Sequence, residues 1–129
     1  MKESTAHLGL DNGKLAPCPK SPNCVSSQAN DTEHIIAPLI YQDSRPEAVA
    51  RLRQVLTSMK RTVIITEKEE YIHAEVTTFL FRFVDDIELY FPVSDKLIHV
   101  RSASRKGYSD LGVNRKRVEE IRKRFSKPL

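Results

Sequence analysis

The sequence has no tryptophan, only two cysteines and only four glycines. A single cysteine pair, without a second Cys-x-x-Cys, gives weak support for a structural zinc site. No apolar stretch approaches the ~20 residues needed to span a bilayer. The polar first residues, 1–14, lack the apolar segment of a secretory leader, so the expected location is cytoplasmic. No nucleophile elbow, zinc-ligand motif, P-loop or dinucleotide fingerprint occurs, which removes the best-marked enzyme classes. Nor are aromatics interleaved with basic residues in the way that base stacking requires. There is no internal repeat or low-complexity segment.

What is present fits one globular domain. The chain has 129 residues, of which 40% are hydrophobic and 29% charged. A chain of this length buries roughly two thirds of its unfolded surface, enough for a core without staples. The expected organisation is a flexible tail over 1–14 and a single domain over 15–129. The formal charge of +4 is concentrated near the end, where residues 115–127 hold seven basic side chains against Glu119 and Glu120. Such a patch suits nucleic acid or an anionic membrane, or else is the solvated face of a helix.

Local patterns give the element order. Prolines 17, 19 and 22 favour an extended strap. Residues 25–32 read as loop. Residues 34–41 read as a first strand, with Pro38 placing it at an edge or a bulge. Ser44, Pro46 and Glu47 form a helix start with a capping box. Val49, Leu52, Val55, Leu56 and Met59 follow at helical spacing, so a helix is expected over 46–60. Lys60 and Arg61 would then suit its C-terminal end.

The β-branched run 62–66 reads as a strand. Residues 71–77 alternate, with Ile72, Ala74 and Val76 facing the core and Tyr71, His73, Glu75 and Thr77 facing away. A strand over 81–91, with a possible bulge at Asp85-Asp86, and another over 97–102 follow. A last helix is expected over 114–126, with Leu111, Val118, Ile121 and Phe125 as its apolar stripe. The expected fold is α+β: a curved antiparallel β-sheet of about four to five strands with two helices packed on one face.

Polar residues cluster where a bland core would not have them. Asp85 and Asp86 are consecutive on a strand, so they point to opposite faces and are poorly placed to chelate one ion. With Glu88 and Asp110 they form an acidic set that either pairs structurally with Arg101, Arg105 and Arg115 or acts as an acid–base or metal cluster. His99, Arg101, Ala103 and Arg105 share one strand parity; Arg82, Asp86 and Glu88 share another. Asn114 and Arg115 either point at the sheet, if the helix begins near Asp110, or flank an N-cap at Asn114. Cys18 and Cys24 have several readings: a disulfide clip, free thiols in a reducing compartment, a redox pair, metal ligands or a nucleophile.

Three runs carry a resemblance: PCPKSPNCVSSQ at 17–28, FVDDIE at 83–88 and RSASRKGYSDLGVNR at 101–115. Together they resemble the domain-of-unknown-function family 1499 (DUF1499), over nearly the whole globular part. The resemblance implies identity and no activity, because no catalytic residues are assigned to that family.

The favoured functional expectation is a binding module that is not an enzyme. It would take a small anionic ligand or a partner's carboxylate through Arg101, Ser104, Arg105, Asn114 and Arg115, since arginine forks and serine hydroxyls suit such groups. A hydrolase-like enzyme on the face carrying Asp85, Asp86, Glu88, His73 and His99 is an alternative. A nucleic-acid or membrane-surface binder using the basic last helix is another. Neither a metal nor a cofactor is expected.

Overall fold

The computed structural model describes residues 8–126. Two helices, α1 (Arg45–Ser58) and α2 (Val113–Phe125), pack with a six-stranded antiparallel sheet. Its strands are β3 (Cys24–Ser26), β4 (Leu39–Ile40), β5 (Thr62–Glu67), β6 (Tyr71–Thr77), β7 (Val84–Tyr90) and β8 (Leu97–Ser104). The order is β3-β8-β7-β6-β5, with β4 pairing separately to the start of β8. A second, two-stranded sheet joins β1 (Leu10–Asp11) to β2 (Lys14–Leu15). The α+β class and the pair of helices are as expected; the sheet is larger, because β3 and β4 share one edge of β8.

Helix α1 starts where its capping box puts it. Ser44 Oγ accepts from the Glu47 amide and the Glu47 carboxylate accepts from the Ser44 amide. The helix ends at Ser58, so Lys60 and Arg61 lie beyond its last turn. Ala48, Val49, Leu52, Val55 and Leu56 form its buried face. Helix α2 contributes Val118, Ile121 and Phe125 to the same core. Arg51 ties the two helices together: its guanidinium bonds Asp43 and the Phe125 carbonyl, and lies 4.0 Å from the Phe125 ring centre.

Register explains where the core sits. Ile72, Leu89 and Val100 align across β6, β7 and β8, and so do Ala74, Ile87 and Ser102. These residues face the helices and are buried. Residues of opposite parity, among them His73, Asp86, Glu88 and Arg101, share the other face, yet they too are buried. A covering segment accounts for this. The strap of residues 8–23 crosses that face: the Gly9 amide donates to Glu88 at 2.7 Å, and the Pro17 carbonyl accepts from Arg101 at 3.4 Å. Gly13 has a positive φ of 76° and approaches Tyr90 so closely that an added Cβ would lie 3.3 Å from its hydroxyl oxygen.

Several expected boundaries move. Residues 1–7 of the expected tail lie outside the described residues; residues 8–14 include β1 and part of β2. Residues 24–26, where the expected strap meets the expected loop, form β3 because β8 offers them a free edge. In the expected first strand only Leu39 and Ile40 pair as a strand. Strand β7 starts at Val84, not at 81, and runs in register through Asp85 and Asp86. The irregularity falls instead in β5, between Ile64 and Thr66. Leu111 is not part of the α2 stripe: it precedes the helix with a φ of 56° and is exposed.

Cys18 and Cys24 are joined in a disulfide, with Cα atoms 5.7 Å apart. The bridge ties the strap to β3. It closes a short loop, for which the entropy of the unfolded chain corresponds to about 2 kcal/mol. Replacing both residues (Cys18→Ser with Cys24→Ser) is therefore expected to lower the unfolding free energy by about 2 kcal/mol. Urea denaturation of the two proteins side by side checks this.

Candidate functional site

A β-strand turns successive side chains to opposite faces, so β7 and β8 build two separate polar clusters. The first lies under the strap. Here Arg105 binds Asp86 through Nε and Nη2 at 2.8 and 2.9 Å, and reaches Glu75 at 2.5 Å. His73 Nε2 lies 2.7 Å from Asp86 Oδ1, the oxygen that Arg105 Nη2 also reaches. Glu88 is fully buried. It accepts from the Tyr71 hydroxyl at 2.6 Å, from the Gly9 amide, and from Arg101 at 3.5 Å. Burial and then the Glu88 acceptor push the Tyr71 hydroxyl well up, so it stays protonated and donates.

The second cluster lies under α2. Asp85 faces the helix and forms a 2.8 Å ion pair with Arg117. Asn114 sits at its centre with no exposed surface. Its side chain accepts from Ser102 Oγ at 2.6 Å and from Arg117 at 2.9 Å. It donates to Asp110 at 2.7 Å, to Ser104 Oγ at 2.9 Å and to the Asn23 carbonyl at 3.3 Å. Gly112, in a left-handed conformation, is the N-cap residue of α2 and offers no side chain. The Asp110 carboxylate takes over its role, accepting from the amides of Gly112 and Asn114 at 2.8 and 3.0 Å.

The two aspartates accordingly differ in acidity. For Asp85, burial is the largest influence and raises the carboxyl above its usual range, against the pull of Arg117. Burial also acts to raise Asp86, but the hydrogen bonds from His73 and Arg105 outweigh it and hold Asp86 low.

The expected site residues are thus divided. Arg101 and Arg105 share the strap side; Ser104 and Asn114 belong to the α2 cluster. Arg115 joins neither: it donates to the carbonyls of Ile35 and Glu33 at 2.9 and 3.1 Å. Its expected place opposite the carboxylates is filled by Arg117. Because α2 begins at Val113, helical spacing turns Asn114, Arg117 and Val118 inward and Arg115 sideways. That Arg117 lies three residues after Asn114 was the available signal. Tyr71 was likewise marked by its shared parity with His73 and Glu75. Arg122 and Arg124 are also engaged, with the Ala37 and Pro38 carbonyls and Glu119, and with Glu120 and Ser58 Oγ. Much of the basic charge of the last helix therefore anchors it to its surroundings.

His73, Glu75 and Asp86 each offer a ligand atom within 4.8 Å of the others. The Arg105 guanidinium already lies against both carboxylates and supplies the positive charge that a cation would bring. Beside this group, a cleft of about 390 Å³ opens between strap and sheet. Arg101 and Arg105 line it with Asp86, Pro17, the Cys18 end of the disulfide, and Asn23. Arg101 is 6% exposed, and its Nε has no hydrogen-bond partner. Burial outweighs Glu88 and lowers the basicity of its guanidinium.

These features define an α+β domain whose sheet separates two buried ionic clusters, one of them roofed by a disulfide-pinned strap. Residues 14–125 match the family model DUF1499, described as a protein of unknown function. The chain belongs to that family. No curated protein matches it. Among the described residues no helix is long and apolar enough to cross a membrane.

Removing one member of a buried ion pair leaves the other uncompensated, at a cost of about 3–5 kcal/mol. Asp86→Asn is expected to destabilise by that amount. The pH dependence follows from the lowered folded-state value. The Asp86 contribution is fully present above the unfolded carboxyl value and is lost as pH falls through the folded one. Chemical denaturation across the acid range should show this slope in the parent protein and not in Asp86→Asn. Asn114→Ala, which leaves buried partners unsatisfied, is expected to cost about 1–3 kcal/mol in the same assay.

Proposed function

We propose that the strap-side cleft binds a small anion or a partner's carboxylate, with the Arg101 guanidinium as the receiving group. The observation that carries this reading is Arg101 itself. It is a buried cation at the cleft, its Nε bonds nothing, and its contacts to Glu88 and Pro17 are long, at 3.5 and 3.4 Å. A buried donor left unsatisfied costs about 1–3 kcal/mol, which an oxyanion in the cleft would relieve. Arg105 borders the same space but is held by Asp86 and Glu75, so its role is to set the field and shape of the site. Ser104 also lines the cleft, and its hydroxyl accepts from Asn114 on the α2 side. Binding, not catalysis, is the reading the cleft supports. The disulfide favours an oxidising compartment over the cytoplasm expected from the sequence, since a reducing one keeps such thiols apart.

Acetate, citrate and inorganic phosphate serve as probes in thermal denaturation. A ligand at a hundred times its Kd stabilises by about 2.7 kcal/mol. The parent protein is expected to gain stability with one of these anions, and Arg101→Met to gain none. Arg101→Lys, which keeps the charge and loses the fork, controls for folding and should bind more weakly. No stabilisation by any anion, or equal stabilisation of parent and Arg101→Met, would rule the site out.

A further inference from the structure

The hairpin between β6 and β7 presents its apolar side chains to solvent. Phe79, Leu80 and Phe81 are 73%, 73% and 68% exposed, and Phe83 is 44% exposed. The tip is built, not frayed. The Thr78 amide donates to the Phe83 carbonyl at 2.7 Å, and the Phe83 amide donates to Thr78 Oγ1 at 2.9 Å. Arg82 closes the turn with a φ of 58°, and the rings of Phe81 and Phe83 stack at 5.6 Å. Single exposed apolar residues need no explanation, whereas a contiguous set marks an interaction surface.

The charged residues of the tip itself, and of the chain packed beside Phe79, are basic. Arg61 lies 5.4 Å from the centre of the Phe79 ring and bonds the Thr77 carbonyl at 3.1 Å. Lys60 precedes it, Arg82 sits within the tip, and no acidic residue occurs between Thr77 and Val84. The second exposed apolar loop, with Tyr108 and Leu111, leaves β8 at the same end of the sheet. Its start is fixed there by the Arg105 amide, which donates to the Val84 carbonyl at 3.1 Å.

From this arrangement we propose that the β6–β7 tip docks on an anionic bilayer surface. Phe79, Leu80 and Phe81 enter the headgroup boundary, and Arg61 and Arg82 meet lipid phosphates. A projecting apolar tip that carries Arg82 and is flanked by Lys60 and Arg61 matches the chemistry of such a surface, apolar below and anionic above. A second copy of the chain fits less well, because a two-fold interface here would gather Arg61 and Arg82 of both copies, four like charges, in one patch. The proposed surface is separate from the strap-side cleft and does not depend on it.

The test is sedimentation with vesicles of equal phosphatidylglycerol and phosphatidylcholine, beside vesicles of phosphatidylcholine alone. Binding is expected to the anionic vesicles, and to weaken as salt rises. Arg61→Gln with Arg82→Gln should weaken it about 30-fold, at about 1 kcal/mol per charge. Phe79→Ser with Phe81→Ser should abolish it while leaving the melting temperature unchanged, because both side chains are exposed. The chain has no tryptophan, so Leu80→Trp adds a single reporter whose emission should shift to the blue on anionic vesicles. An unshifted emission in a sedimenting protein would mean charge attraction without insertion, and would overturn the proposal. So would sedimentation undiminished by the serine variant, or failure to bind either vesicle; the last result would point to an acidic protein partner.

Discussion

Two arginines, Arg101 on β8 and Arg105 just past its end, are held under cover, and the cost of a buried, unpaired charge organises the structure around them. The cost is several kcal/mol per ion unless a carboxylate stands within reach. Register with β7 provides this for Arg101, whose Cα partner is Glu88. Arg105, just past the end of β8, folds back on Asp86 and reaches across to Glu75. Once those charges are paired on a sheet face, water has to be kept from competing for them. The strap does that, and its own backbone takes part in the pairing through Gly9 and Pro17.

The same alternation that puts Asp86 under the strap puts Asp85 under α2. One strand thus feeds two ionic clusters that share no side chain, and the sheet keeps them apart. The α2 cluster is closed: Asn114 makes bonds through both ends of its amide, and Asp85, Ser102, Ser104 and Arg117 surround it. The strap cluster is less complete. A cleft reaches Arg101, and one of its donors has no acceptor. Polar groups are satisfied on one face of the sheet, while on the other a buried cation is short of an acceptor, and that is the acceptor the proposed anion would supply.

Past Thr77 and Val84, at the tip of the same hairpin, the constraint is reversed. Residues 79–83 carry large apolar side chains, but the hairpin tip has no layer above it to bury them. The core is already filled by the facing rows of β6, β7, β8 and the two helices. Thr78 and Phe83 close the turn by hydrogen bonds, so the aromatic rings have nowhere to fold back. Reading 81–91 as one strand followed from the apolar content of Phe81 and Phe83; pairing with β6 ends at the Thr77–Val84 register, and that fixed the boundary.

Periodicity and capping made α1, the alternating strands β6 and β8, and the core face of Ile72, Ala74 and Val76 legible from sequence alone. The opposite orientation of Asp85 and Asp86 was also determined there, since a strand cannot point neighbours the same way. The short strands β1, β2 and β3 were not legible, and β4 only as part of a longer expected strand, because two or three residues carry no measurable period and exist only where another strand offers an edge. Likewise, Arg115 and Arg117 look equivalent in the chain; the helix start at Val113, set by Gly112 and the Asp110 cap, decided which one reaches Asp85. The roofing of the polar face was tertiary too. Sequence marks residues 17–24 as an extended, cysteine-bearing strap, but only the path of the folded chain across β7 and β8 turns a charged sheet surface into a buried one with a cleft at Arg101.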